Sequence, residues 1–306
     1  MGLGSVVYLN AVSRTNLLLV GNGPNYFSAG TSWEDVVRAT ARKARLANQT
    51  EKIIKEPLPL VYETIAARYP DKEKQARAEL AVQMLKMVPN AIHHELMGLD
   101  WPTVLTTNYD ECLESASGDK FVASNLEREA TYSVFRRRSA GPRAVWHIHG
   151  DVRSPRTMML GMHHYCGYLQ KLRAYLTTPS QQSPLVLVDQ SRSLESVRHS
   201  WADLFLRDDV HIIGLSLSYS EIVLWWLLAY KYRLTHQKKL TCGSTTFYYI
   251  GTGSASEKNR LEMLLAYGVI VKIVHSSTRP PTETTWMNVL RILRSVRMRD
   301  GVYGSG

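Results

Sequence analysis

The sequence predicts an α/β protein built on a parallel sheet, and two observations carry that expectation. Short apolar runs end in small polar residues or glycine: Asn16–Val20 before Gly21-Asn22-Gly23-Pro24, Pro102–Leu105 before Thr106-Thr107-Asn108, Val210–Ile213 before Gly214, and Thr246–Ile250 before Gly251. Such runs are apolar at successive positions rather than at every second one, which fits strands buried on both faces. Segments with helical spacing stand between them, and strands alternating with helices mean βαβ units. At 306 residues, 44% hydrophobic and 21% charged, the chain can bury a large core. We read residues 1–300 as a single domain and 301–306 as a tail.

In chain order, the first strand and its Gly-rich turn lead to Ser32, which can cap a helix with Asp35 at the third helical position. From about 34 to 98 there is no strand signal, so this stretch is read as a helical insertion between the first two strands. Within it Ala76, Leu80, Met84 and Met87 recur at helical spacing, and Pro89 reopens a helix with Ile92 and Leu96 on one face. The second strand ends at Leu105. Gly118–Pro142 is polar and is read as a connection with a short strand or turn, and its Arg136-Arg137-Arg138 run as a solvated loop. Ala144–Asp151 is read as a strand ending in glycine. Helices are expected over His163–Leu176, Ser191–Leu206, Ile222–Tyr230, Ser256–Tyr267 and Trp286–Val296, with a last strand at Gly268–Val274.

Composition narrows the function. A net charge of +10 fits either a basic solvated surface or a polyanionic partner such as a nucleotide or nucleic acid. Cys112, Cys166 and Cys242 form no C-x-x-C pair, so neither a zinc ribbon nor a dithiol redox motif is expected, and no metal. Sparse cysteine fits a reducing cytoplasm. No signal peptide is expected, and the apolar stretch Ile222–Tyr230 falls short of the roughly 20 residues of a membrane span.

In open α/β sheets ligands bind outside the carboxyl ends of the strands, so the strand ends are the candidate sites. Gly21-Asn22-Gly23 can bring backbone N–H groups to a phosphate or be a plain tight turn. Thr107-Asn108-Tyr109-Asp110 offers a donor and an acceptor on Asn108, or a helix cap. His147 and His149 point the same way if both lie on a strand, and either can do acid–base work or be structural. Gly214-Leu215-Ser216 and Gly251-Thr252-Gly253 are turns that can meet a nucleotide or simply start helices. The pairs His93-His94 and His163-His164 do not share a helix face and are weak ligand candidates. Trp225-Trp226 reads as core or a subunit contact.

Taken in order, these motifs resemble the sirtuin family. Gly21-Asn22-Gly23 resembles its Gly-Ala-Gly turn, Thr107–Asp110 its Thr-Gln-Asn-Ile-Asp signature, His149-Gly150 its catalytic His-Gly, and Gly214-Leu215-Ser216 its Gly-Thr-Ser turn. The resemblance implies a Rossmann-like parallel sheet flanked by helices, with NAD+ as substrate. Three scattered cysteines cannot supply the four-cysteine zinc module of the deacylases. Ala29–Trp33 and Ser216–Glu221 are instead similar to stretches of sirtuin-like domains from bacterial anti-phage defence, which hydrolyse NAD+ to nicotinamide and ADP-ribose. The resemblance therefore implies an NAD+ glycohydrolase with Asn108, His149 and Asp110 as catalytic residues. It implies NAD+ contacts at Gly21, Asn22, Gly23, Thr107, Gly214, Ser216 and Gly251. It further implies a homo-oligomer or a regulatory partner such as a HerA-type ATPase, an Argonaute-like protein or a signal-producing enzyme. The alternatives are a deacylase or ADP-ribosyltransferase, or a nucleotide-sensing subunit without turnover.

Overall fold

The computed structural model describes residues 14–28, 38, 56–68, 73–123, 131–178, 200–237 and 241–303. The expected cap at Ser32, the Ala29–Trp33 stretch and residues 191–199 of the expected Ser191–Leu206 helix lie outside the described residues.

Eight strands form one sheet: β1 (Asn16–Val20), β2 (Thr103–Thr106), β3 (Val122–Ala123), β4 (Arg138–Ala140), β5 (Arg143–His147), β6 (Asp209–Ile213), β7 (Thr245–Gly251) and β8 (Ile270–His275). Their order is β3-β4-β5-β2-β1-β6-β7-β8. Strands β5, β2, β1, β6, β7 and β8 are parallel. Numbered by their own sequence order, these six run 3-2-1-4-5-6, the doubly wound arrangement whose switch point lies between the first and fourth strands. Here that point is between β1 and β6.

The expected parallel sheet needs correction at one edge, where β4 pairs antiparallel with both β3 and β5. Ala140 pairs with Arg143 across Gly141 and Pro142, with Gly141 at φ 56°. Two residues suffice for an antiparallel return, whereas a parallel one needs a crossover.

The described helices are α1 (Leu58–Arg68), α2 (Glu73–Met84), α3 (Ala91–Gly98), α4 (Cys112–Ser117), α5 (Met162–Thr177), α6 (Trp201–Arg207), α7 (Ile222–His236), α8 (Ala255–Ala266) and α9 (Glu283–Tyr303). Helix α9 takes in residues 301–303, which the sequence reading set apart as a tail. None of the described helices is long and apolar enough to cross a membrane.

Alternation along the buried strands divides the core. Leu17 and Leu19 pack on one face with Trp146, Trp201, Phe205, Leu224 and Leu264. Leu18 and Val20 pack on the other with Ile92, Leu113, Trp286 and Val289. Both faces are thus covered by helices, which is why β1 carries no polar alternation. A third cluster joins Tyr62 of α1 and Leu80, Ala81 and Met84 of α2 to Tyr109, Val152, Met158 and Leu160. The first two described helices of the expected insertion therefore pack on the loops that follow β2 and β5, directly over the strand ends. Arg77 of α2 reinforces this contact by donating to the carbonyl of Met158 at 3.1 Å.

Candidate functional site at the carboxyl ends of the strands

The turn after β1 is locked to the turn after β6. Gly21 N donates to Ile213 O at 2.9 Å, and Gly23 N to Gly214 O at 2.8 Å. A Cβ on Gly21 would stand 2.6 Å from Gly214 O, and Gly214 itself sits at φ 67° against Pro24 and Trp286. Glycine is needed here because two backbones meet at the switch point. The N–H groups of Gly21 and Gly23 are committed to β6 and its turn, so this turn shapes the crevice without offering those donors to a phosphate. Asn22 is exposed beside it.

Asn108 and Asp110 tie the second strand end to the first. Asn108 is buried; its Nδ2 donates to Gly21 O at 3.2 Å and its amide to Thr106 Oγ1 at 3.0 Å. Thr107, also buried, donates its amide to Val20 O. Asp110 accepts from the amide of Cys112, the first residue of α4, and from Asn25 Nδ2 at 2.8 Å. Asn25 Oδ1 in turn meets His93 Nε2 at 2.9 Å. His93 Nδ1 accepts from Asn90 N, which fixes Nε2 as the donor. Burial pushes the His93 imidazole down to about 4 against the pull of Asp110. The sequence reading does not single out Asn25, and marks His93 only as half of a weak ligand pair. Asn25 follows a turn motif without belonging to it, and His93 sits in a helix whose partner lies 68 residues away.

The two histidines of the third strand end differ sharply. The strand stops at His147, not at Asp151 as the sequence reading has it. Gly150 turns the chain at φ 106°, where a Cβ would lie 2.2 Å from Thr157 O. No side chain fits there, which explains the glycine after His149. His147 Nε2 meets Glu114 Oε1 at 2.7 Å and its Nδ1 donates to Asn108 O at 3.0 Å. Burial alone lowers the His147 pKa, but the charge and hydrogen bond of Glu114, helped by Asp151, outweigh it and raise it to about 9. His149, 2% exposed, packs edge-on against Tyr165 at 5.3 Å. Burial pushes it down to about 3. Its Nε2 has no hydrogen-bond partner among the described residues and lies 3.7 Å from Glu221 Oε2, which has none either.

A raised folded-state pKa makes the protonated His147 a stabilising group below its ordinary value near 6.5, and the contribution is lost as pH rises through about 9. The stability advantage of the native chain over His147→Gln is expected to shrink by about 2–3 kcal/mol across that window. Urea denaturation of both proteins at a series of pH values measures it; a constant difference contradicts the ion pair.

The expectation of a solvated Arg136–Arg138 loop also needs correction, because Arg136 and Arg138 are buried. Arg138 grips both carboxylate oxygens of Asp151, at 2.8 and 2.7 Å from Nη2, and pairs with Glu111. Arg138 looks solvated in the sequence until its acids, Asp151 and Glu111, are known, and those lie elsewhere in the chain.

The remaining strand ends are more open. Ser216 is exposed in the turn after β6, while Leu217 is fully buried at φ 45°. A non-glycine residue there is strained and held only by its surroundings. Gly251 ends β7 under the ring of Tyr249, whose hydroxyl accepts from Gly253 N. Trp225 of α7 donates to Ser218 O, and Trp226 stacks on Tyr230. Cys112, Cys166 and Cys242 stand on α4, on α5 and ahead of β7. Among the described residues Glu73, His163 and His164 place three ligand atoms within 4.8 Å of one another. The Arg77 guanidinium bonds both Glu73 and His164 and already supplies the positive charge there.

Residues 102–225 match the model of the SIR2-like domain family. The match takes in Asn108, Asp110, His147, His149, Gly214, Ser216 and Glu221, and leaves β1 and its glycine turn outside. No curated protein matches the chain.

Proposed function

We propose that the chain is an NAD+ glycohydrolase that cleaves the bond between nicotinamide and ribose. The observation that carries this reading is the buried His149 Nε2, which has no hydrogen-bond partner among the described residues, just past the end of β5 and within the SIR2-like segment. A buried polar atom left without a partner costs about 1–3 kcal/mol, which a structural histidine has no reason to bear. Cleavage of this bond develops positive charge on the ribose, so the site has to hold the sugar and position one water more than supply a strong nucleophile. Asn108 holds the nicotinamide ribose or the attacking water. His149 receives the proton of that water. Asp110 supports both indirectly, by fixing Asn25 and the start of α4. Gly21, Gly23, Gly214 and Ser216 line the crevice at the switch point where the pyrophosphate and adenosine rest, and Asn22, Thr107 and Gly251 border it.

The biological role in this reading is depletion of NAD+ in anti-phage defence, inside the cell. It rests on the resemblance to the defence-associated sirtuin-like domains. Such an activity needs restraint, through self-assembly or a partner protein, and α1 and α2 over the site are the surface through which a partner can act. The test is nicotinamide release from NAD+ by the purified chain, with and without an acylated peptide. Release from NAD+ alone, reduced at least ~10²-fold in Asn108→Ala, is the expected result. Release only in the presence of the peptide identifies a deacylase instead, and no release overturns the reading.

A further inference from the structure

The gap between His149 and Glu221 has no structural explanation. Nε2 and Oε2 face each other at 3.7 Å, neither with a hydrogen bond among the described residues and neither reaching solvent. That is too long for a direct bond and too short for an intervening water, since two atoms bridged by water stand roughly 4.5 Å or more apart. Glu221 immediately precedes α7 but does not cap it, and its amide donates to Ser218 O at 3.0 Å. In the sequence Glu221 is the last residue of the Ser216–Glu221 stretch that is similar to a turn of the defence-associated sirtuin-like domains, with no role of its own.

We propose that Glu221 is the proton partner of His149 and that the two work as one acid–base pair. The proposal rests on the NAD+ hydrolysis reading for its chemistry, and on the geometry alone for the pairing. Water attacks the ribose carbon, the carbon–nitrogen bond breaks, and nicotinamide leaves with the bonding electrons as a neutral ring. The proton lost by the water goes to His149 Nε2, and the Glu221 carboxylate stabilises the imidazolium until product departure opens the site and the proton passes to solvent. Without such a partner His149 is a poor base, because burial disfavours its charged form; burial likewise raises Glu221 to about 7. A charge on each offsets the cost of the other. The other ionisable groups facing the pair are Tyr109, from the turn after β2, and Tyr165 of α5. Burial first, and then the charge of Glu221, raises both phenols, so both stay neutral and leave the pair to titrate by itself.

The isosteric Glu221→Gln tests this in two ways. Titration of the histidine ring nitrogens by NMR, with His149 assigned from His149→Gln, is expected to show His149 gaining its proton at lower pH in Glu221→Gln than in the native chain. The rate of nicotinamide release is expected to fall roughly 10²-fold in kcat, with KM within a factor of about two, and the pH profile to lose its limb near neutrality. Should Glu221→Gln not fold, Glu221→Asp keeps the charge and is expected to keep the His149 titration coupled to a carboxylate while lowering kcat. An unchanged His149 titration, or an unchanged kcat and pH profile, overturns the pairing. A native chain that releases no nicotinamide overturns the NAD+ reading instead, and the NMR titration then decides the pairing by itself.

Discussion

Replacing Arg138 by methionine is expected to destabilise the protein by about 3–5 kcal/mol. The guanidinium is 10% exposed and bonds Asp151, which is fully buried, through three contacts between 2.7 and 3.0 Å. It also pairs with Glu111 and lies 3.9 Å from Glu114. Methionine fills much of the volume and supplies none of the charge. The Asp151 carboxylate keeps the bond from the amide of Arg153, at 2.7 Å, and the amide of Asp151 still donates to Thr157 Oγ1, but the carboxylate loses its only cation at close range among the described residues. Taking one partner from a buried ion pair is costly because the other stays charged in a place water does not reach. Arg143 is the control: its partners Asp100 and Asp119 are exposed, and Arg143→Met is expected to cost no more than about 1 kcal/mol. Equilibrium denaturation of the two variants gives the comparison, and equal losses contradict the assignment of Arg138 as a buried anchor. The consequence reaches the site, because Asp151 follows Gly150 and Arg138 holds the loop in which His149 turns.

The order of strands and helices was legible in the sequence because burial on both faces writes itself as unbroken apolar runs. Leu17, Leu18, Leu19 and Val20 are all fully buried, and no strand with a wet face reads that way. The ends of β1, β2, β6 and β7 were legible too, since each run stops at a residue type that turns the chain, but the end of β5 was not. What the pattern does not carry is pairing between side chains. His147 finds Glu114 at 33 positions' distance and Arg138 finds Asp151 at 13. Neither spacing is a period of any helix or strand. The antiparallel edge was hidden for a similar reason, because β3 has two residues and β4 three, too few to display alternation. The choice between His147 and His149 turned on where β5 ends. The apolar run continues through Ile148, and only the close contact of Gly150 with Thr157 shows that the chain has already turned.

Exchanging the two histidines in turn separates structure from chemistry. His149→Phe is expected to lower kcat for NAD+ hydrolysis by about 10²–10⁴-fold, the usual contribution of a positioned acid–base group. Stability is expected to change by less than about 1 kcal/mol. Phenylalanine keeps the edge-on contact with Tyr165 and removes a buried nitrogen that has no partner among the described residues, so the folded state loses little. His147→Gln is expected to behave in the opposite way. It strips Glu114 of its cation and Asn108 of the donor to its carbonyl, so it lowers stability most at the acid end. Any effect on kcat then arrives through a displaced Asn108 and not through a lost proton acceptor. The measurement is kcat and unfolding free energy for both variants at two pH values, near 6 and near 9. Equal loss of kcat in the two variants, or a His149→Phe protein as active as the native chain, removes His149 from the reaction. Loss of activity without loss of stability at His149, and loss of stability first at His147, places the proton transfer on the histidine whose Nε2 has no hydrogen-bond partner among the described residues.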